Sequence, residues 1–174
     1  MHPLSKFRYC PACGSGHFVE NTDKSKRCQN CHFEYFMNPS SATAAFIFNG
    51  KGELLVLKRK IEPAKGMYDL PGGFADIGET AEEGMAREIM EETGLTTTAM
   101  QYLFSLPNIY RYSGVDVRTL DLFFRCEVAD DSVVRPDDDA SEYLWIAPSD
   151  IRTEQFGLRS IREAIRKFMG ENRA

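Results

Sequence analysis

Three glutamates at helical spacing are the side chains of this sequence best suited to chemistry. Glu88, Glu91 and Glu92 lie within residues 87–95, REIMEETGL. Residues at i, i+3 and i+4 share one face of a helix, so the three carboxylates repel one another unless a cation lies between them. Oxygen ligands that leave coordination positions for water and phosphate suit Mg²⁺ or Mn²⁺. The spacing therefore predicts a divalent metal site on a helix.

The residues around these glutamates predict a loop that leads into a capped helix. Thr80 and Glu83 have the spacing of a capping box, and Gly94 is placed to end the helix. Gly72 and Gly73 precede this helix and allow the backbone to approach a ligand closely. A core can therefore anchor the helix while its carboxylates face a cleft.

Four of the five cysteines form two Cys-x-x-Cys pairs. Cys10, Cys13, Cys28 and Cys31 suit the tetrahedral site of a structural zinc ribbon. Disulfides are the alternative, but they need an oxidising compartment, and the N-terminus lacks the apolar stretch of a signal peptide. Cys126 lies in an apolar strand pattern and is predicted to be a buried free thiol.

Length and charge limit the classes of protein to consider. The chain has 174 residues, 43% of them hydrophobic, and a net charge of −5. We expect a zinc ribbon at residues 1–36 and one larger domain at 37–174. The acidic balance gives no basic field for nucleic acid, and no apolar run is long enough to span a membrane. We therefore expect a cytoplasmic protein for which nucleic acid is an unlikely partner.

The pattern of the larger domain predicts an α/β fold of the α+β type. Strands are predicted at 41–48, 53–58, 68–70, 98–106, 117–128 and 142–147, and a second helix at 158–169. The turn at 49–52 (NGKG) is typical of a hairpin joining the first two of these strands, and 110–115 reads as a loop. Strands interrupted by two separate helices predict a mixed sheet sandwiched between helices.

The acidic segment as a whole resembles the Nudix box. That pattern requires Gly, Glu, Arg-Glu, an aliphatic residue, Glu-Glu, Gly and an aliphatic residue at fixed spacing. The matching residues here are Gly73, Glu79, Arg87, Glu88, Ile89, Glu91, Glu92, Gly94 and Leu95. A gapped match at so many positions is not expected of a merely solvated acidic helix. The resemblance implies an α/β/α sandwich that hydrolyses a nucleoside diphosphate linked to another group.

The same resemblance implies roles for individual residues. The three carboxylates of the helix and the Gly73 carbonyl would hold the cation, and Glu88 could also act as general base. Glu79 and Arg87 would form a structural ion pair that clamps the loop, with direct substrate contact as the alternative.

Two further acidic residues resemble carboxylates that the family places before a tryptophan. Asp139 and Glu142 stand six and three residues before Trp145. Asp139 is a candidate metal ligand or a rival general base. Glu142 is either a ligand or an ordinary strand residue.

A ribbon directly before a Nudix domain resembles the NADH pyrophosphatases. Those enzymes carry a motif, SQPWPFPxS, for which this chain has SLPNIY at 105–110. Ser105 and Pro107 match, and Tyr110 could replace the Phe, but the Trp and the second Pro are absent. Tyr110 and Tyr112 could stack on a base, or they are ordinary tyrosines at a strand end.

Three functions remain open at this point. The leading one is a Mg²⁺- or Mn²⁺-dependent pyrophosphohydrolase of an NADH- or ADP-ribose-like dinucleotide. A variant is a nucleoside triphosphate or capped-RNA hydrolase, which would need a basic channel around Lys58, Arg59, Lys60 and Lys65. The third is a nucleotide-sensing or nucleic-acid-binding module that uses the ribbon, with Lys24, Lys26 and Arg27 as its basic residues. Relatives of this kind are often homodimers, so a homodimer is possible.

Overall fold

The computed structural model describes residues 2–112, 114–135 and 140–171. The chain divides into two compact units, Met1–Pro39 and Ser40–Ala174. The first unit is a small antiparallel sheet in the order β1-β2-β3. Its strands are β1 (Phe18–Thr22), β2 (Ser25–Cys28) and β3 (Glu34–Phe36).

The second unit contains six strands, two α-helices and one short 3₁₀ helix in its described part. In chain order these are β4 (Ser40–Ile47), β5 (Leu54–Arg59), β6 (Tyr68–Asp69), α1 (Ala81–Thr93), β7 (Thr97–Tyr112), β8 (Val115–Val128), β9 (Ala140–Ile146), a 3₁₀ helix (Thr153–Gln155) and α2 (Arg159–Glu171). Within the described ranges, no helix has both the length and the apolar character needed to cross a membrane.

Both parallel and antiparallel pairs occur in this unit. One sheet has the order β4-β8-β7, with β4 parallel to β8 and β7 antiparallel to it. The other has the order β6-β5-β9 and is antiparallel. The outer edge of β4 is occupied by residues 71–75, because the Thr43 and Ala45 amides donate to the Gly73 and Pro71 carbonyls, each at 2.8 Å.

Alternate residues of the strands face two separate apolar clusters, one beneath each helix. Phe46 packs in the cluster that contains Ile165 and Phe168 of α2. Ile47, its neighbour on β4, packs in the cluster that contains Met85 and Ile89 of α1. The helices therefore cover opposite faces of the strands, which confirms the predicted sandwich.

Helix α1 begins and ends where the sequence predicts, because its ends are set locally. The Thr80 hydroxyl accepts from the Glu83 amide at 3.1 Å, and the Glu83 carboxylate accepts from the Thr80 amide at 2.8 Å. Gly94 follows the helix in a left-handed conformation with φ 70°. This capping box fixes the direction in which the helix presents its glutamates.

Two details of the predicted strands are wrong. Strands β4 and β5 do not form a hairpin: apart from one bridge between Phe48 and Leu54, they pair in different sheets. The reason is that β8 and residues 71–75 occupy the two edges of β4. Residues 110–112 are strand and not loop, because Tyr112 pairs with Val115 and the chain reverses through Gly114 at φ 72°.

Candidate functional site

Arg87 organises the acidic face of α1. Its guanidinium meets Glu79 at two points, Nε to Oε1 at 2.7 Å and Nη2 to Oε2 at 3.0 Å. Nη2 also donates to the Phe74 carbonyl at 3.0 Å, and Nη1 donates to Glu88 at 2.8 Å and to Glu91 at 2.9 Å. The hydrogen bond from Arg87 lowers the pKa of Glu79 to about 2. Arg87 therefore ties the loop before α1 to two of the three helical glutamates.

The two glycines before α1 bring backbone against the remaining carboxylates. A Cβ at Gly73 would lie 2.7 Å from the Glu88 carboxylate, and one at Gly72 would lie 2.1 Å from the Thr43 carbonyl oxygen. The Gly72 amide, at φ 147°, donates to Glu92 at 2.7 Å. Only glycine fits at Gly72, because the clash there is with backbone, whereas a side chain at Gly73 would displace the Glu88 carboxylate.

The carboxylates of Glu88 and Glu92 lie where negative charge is unfavourable. Burial raises the pKa of Glu92 to about 8, and Glu88 adds to the rise. Burial also raises the pKa of Glu88, although Arg87 opposes this, and Glu91 adds to it. A divalent cation would relieve both effects, and carboxylate and carbonyl oxygens are the ligands it prefers. These residues therefore fit such an ion.

Glu88 and Glu92 line a cleft of about 260 Å³ in the second unit. Gly72, Gly73 and residues of β7 and β8 line it as well; we refer to Glu88 and Glu92 as its acidic end and to the lining residues of β7 and β8 as its far end. Of the residues predicted for the site, Glu88, Glu92, Gly73 and Tyr110 line this cleft, whereas the Glu91 side chain is 54% exposed beside Arg87.

The far end of the cleft has a polar floor that the sequence analysis missed. Asp121 on β8 accepts hydrogen bonds from the hydroxyls of Thr119 and Ser160, each at 2.5 Å. Asn108 on β7 pairs with Thr119 and is also buried. The sequence could have predicted this floor. Thr119 and Asp121 alternate with Phe123 along the strand and so face the same side as this core residue, which means that polar side chains are buried there.

Aromatic side chains stand beside this floor. Tyr110 lines the cleft and meets the Phe74 ring edge-on, with centroids 5.8 Å apart and an interplanar angle of 86°. Tyr112 stacks on Tyr110 at 6.3 Å and 23°, but it is 65% exposed and does not line the cleft. The structure thus places Tyr110 in the site and Tyr112 outside it.

The basic residues near the cleft already have acidic partners. Arg59 donates to Asp69 at 2.6 Å, and Lys58 forms an ion pair with Glu142. Glu142 therefore meets Lys58, and it does not line the cleft. The other predicted carboxylate, Asp139, lies outside the described residues. Lys58 and Arg59 both line the cleft, so two of the four residues considered for a basic channel lie at the site.

The predicted zinc ligands converge in the first unit. The Sγ atoms of Cys10, Cys13, Cys28 and Cys31 lie within 4.8 Å of one another, which no other group of three or more acidic, His or Cys residues achieves in the described ranges. None of the four is in a disulfide. The cluster can bind zinc in a tetrahedral thiolate site.

The two Cys-x-x-Cys turns are built alike. The Gly14 amide donates to the Cys10 carbonyl at 2.8 Å, and the His32 amide donates to the Cys28 carbonyl at 3.0 Å. Both donors are left-handed, with φ 73° for Gly14 and 64° for His32. His32 thus holds the backbone position that glycine holds in the first turn.

Comparison with known proteins assigns the class to which this fold and site belong. The model of the NUDIX domain matches residues 38–168. The chain therefore belongs to the Nudix family, and the predicted family is confirmed.

One curated relative and two solved structures illustrate which members of the family the chain resembles. Over 106 residues the chain is 29% identical to the NAD-capped RNA hydrolase NudC of Vibrio cholerae serotype O1, a match that covers 61% of this chain and 39% of that protein. The chain thus spans about two-fifths of the length of this relative. The crystal structure of a NUDIX hydrolase from Nitrosomonas europaea has a TM-score of 0.73 and 22% identity, covering 95% of this chain and 92% of that one. The NUDIX domain of Shewanella oneidensis NrtR, solved with ADP ribose, has a TM-score of 0.61 and 19% identity, covering 79% and 90%.

Proposed function

We propose that this protein is a Mg²⁺- or Mn²⁺-dependent pyrophosphohydrolase that cleaves the diphosphate bond of a nucleoside diphosphate derivative, with an NADH- or ADP-ribose-like dinucleotide as substrate. One observation carries the proposal: a single cleft joins the carboxylates of Glu88 and Glu92 to Tyr110 and a polar floor. Such a cleft offers a cation site for the diphosphate and a flat surface for a base.

The acidic end of the cleft is the reacting end. Glu88, Glu92 and Gly73 line the cleft, so their carboxylates and carbonyl would hold the cation, which would neutralise the diphosphate charge and polarise water. Glu91 would join them only by turning away from Arg87. The Gly72 amide orients Glu92, and Arg87 orients Glu88. The Gly73 carbonyl keeps a lone pair for the ion while it accepts from the Thr43 amide.

Glu88 is the residue we assign to proton abstraction. Its carboxylate lies in the cleft and is partly withdrawn from solvent, and burial raises its pKa. A carboxylate within hydrogen-bond reach of the attacking water can take its proton as a general base. Arg87 holds one oxygen of Glu88, which leaves the other to receive the proton.

Recognition of the nucleoside falls to the far end. A base stacked on Tyr110 would extend over the polar floor at Asn108, and base–aromatic stacking contributes about 1–3 kcal/mol. The edge-on contact with Phe74 holds the Tyr110 ring in place.

The first unit completes the proposal as a zinc ribbon with a structural role. Four thiolates satisfy the coordination of zinc and leave no position for a substrate. Because the site needs reduced thiols, we place the protein in a reducing compartment, the cytoplasm.

NAD-capped RNA is a second candidate substrate, and the similarity to NudC favours it. Such a substrate presents the same dinucleotide diphosphate to the cleft, with an RNA chain attached. Reaction at the acidic end would then be unchanged, and the two candidates differ only in what lies beyond the nucleoside.

The test is hydrolysis of a substrate panel with Mg²⁺ and with Mn²⁺. The panel contains NADH, NAD⁺, ADP-ribose, nucleoside triphosphates and an NAD-capped RNA, with products separated by chromatography. We expect turnover of dinucleotides, and a loss of about 10²–10⁴-fold in Glu88→Gln. Glu82→Gln is the matched control, because Glu82 lies exposed in the first turn of the same helix. Absence of turnover for every member of the panel would refute the proposal.

A further inference from the structure

Asn108 is a mostly buried side chain that has no hydrogen-bond partner in the part of the chain that the structure describes. Only 8% of its surface is exposed, yet it lines the cleft. None of the hydrogen bonds between residues that the structure describes involves its side-chain amide. The amide atoms are not sealed from solvent, so they face the cleft, where a ligand can reach them.

The neighbouring polar groups are engaged with one another. Thr119, which faces Asn108 across the strand pair, donates a hydrogen bond from its hydroxyl to Asp121. The second oxygen of Asp121 accepts from Ser160. This cluster is satisfied without Asn108, so the amide is left for whatever enters the cleft.

The position of Asn108 relative to Tyr110 defines what it could reach. The two residues are separated by one residue on β7, so they point to the same face about 6.7 Å apart. A planar base stacked on Tyr110 would therefore bring its polar edge to the Asn108 amide. A carboxamide offers one acceptor oxygen and a donor NH₂ side by side.

We propose that Asn108 is a specificity-determining residue that reads the edge of the substrate base through a paired donor and acceptor. The matching chemistry is an edge that itself presents a donor beside an acceptor. Adenine does so with its amino group and N7, and nicotinamide does so with its carboxamide. The inference rests on the proposed function, because it concerns recognition in the same cleft.

The sequence makes this position distinctive. In the motif of the NADH pyrophosphatases that 105–110 resembles, a Trp stands where this chain has Asn108. An indole can only donate a hydrogen bond, whereas an amide both donates and accepts. The base selectivity of this protein should therefore follow the paired edge of the substrate.

The experiment changes the substrate and the residue together. Hydrolysis of NAD⁺ is compared with that of two edited dinucleotides. Nicotinamide hypoxanthine dinucleotide replaces the adenine amino group by a carbonyl, and nicotinic acid adenine dinucleotide replaces the carboxamide by a carboxylate. The proteins are wild type, Asn108→Leu, Asn108→Asp and, as control, Ile109→Leu, which alters the exposed face of the same strand.

For wild type and the control we expect one of the two edits to lower kcat/KM about 10- to 100-fold, the range for a lost paired contact. Which edit does so identifies the base that Asn108 reads. In Asn108→Leu, kcat/KM for the same pair of substrates should differ by less than about 3-fold, because the paired contact is absent. Asn108→Asp should reduce the preference for the unedited substrate, because it keeps the shape but loses the donor.

The ratio of kcat/KM for two substrates, measured on one protein, is unaffected by any general damage to folding or catalysis. A wild-type ratio near one for both edits, or an unchanged ratio in Asn108→Leu, would overturn the inference. If wild type cleaves none of the dinucleotides, the proposed function fails instead. Calorimetry then gives the dissociation constants of the same three dinucleotides. The ratio of the constants for edited and unedited dinucleotide, in wild type and in Asn108→Leu, then tests the inference in the same way.

Discussion

Replacing Glu92 by Gln should make the metal-free protein more stable at alkaline pH while removing its activity. Burial raises the pKa of Glu92 to about 8, whereas an unperturbed glutamate titrates near 4.5. Between these values the folded state keeps a proton that the unfolded state has lost. The free energy of unfolding therefore falls as pH rises through this window, and it is constant with respect to Glu92 below it.

The size of the effect follows from the two pKa values. A separation between about 8 and 4.5 corresponds to roughly 5 kcal/mol across the whole window. Glutamine has no proton to lose and can still accept from the Gly72 amide. At pH 5 Glu92→Gln should be within about 1 kcal/mol of wild type, and at pH 8.5 it should be more stable by about 3–5 kcal/mol.

Urea denaturation from pH 5 to 8.5 measures this difference, in buffer freed of Mg²⁺ with zinc retained. Trp145 is the only tryptophan, so its fluorescence reports the second unit alone. Met90→Leu is the control, because Met90 is exposed on the same helix and has no ionisable group, so this change should leave the pH slope of wild type unchanged. Equal pH slopes for wild type and Glu92→Gln would refute the reasoning.

Three further outcomes are expected. Glu79→Gln should have a lower free energy of unfolding than wild type above pH 4.5, and this difference should shrink as pH falls toward 2, because the pKa of Glu79 is lowered to about 2. Urea denaturation at each pH measures the difference, and a difference that does not change with pH would contradict a contribution from the Arg87 pair. Cys13→Ser should release zinc and lose the ordered amide signals of residues 10–32 in NMR spectra, and retention of both would contradict a four-thiolate site. Phe168→Ala should cost about 3–5 kcal/mol in unfolding free energy, because its ring stacks on Phe46 at 4.3 Å; a cost below about 1 kcal/mol would contradict this packing.

The local features of the site were predictable from sequence, and the long-range ones were not. Helix α1 is fixed by Thr80, Glu83 and Gly94, all within its own segment, so its glutamates could be placed on one face from spacing alone. The zinc cysteines are likewise close in sequence. The partner of β4 could not be read in this way, because its pairing with β8 joins residues about eighty positions apart.

The contacts within the polar floor of the cleft also could not be predicted from sequence. Asp121 is satisfied by Ser160, which lies 39 residues away on α2. Strand alternation indicates that Asp121 faces inward, but it does not say which side chain will meet it there. Asn108 was visible only as a missing Trp in a motif, and its burial beside Tyr110 needed the register of β7 and β8.

The division of the cleft between distant parts of the chain bears on how the protein can change over time. The acidic end is built by residues 72–92, where Arg87 links several groups and a single substitution disturbs them all. The far end is built by β7, β8 and the start of α2, which share no hydrogen bond with that arginine among the described residues. Under the proposed function, substitutions on β7 and β8 would change nucleotide preference while the acidic end is inherited intact, so one scaffold could give rise to descendants with different substrates.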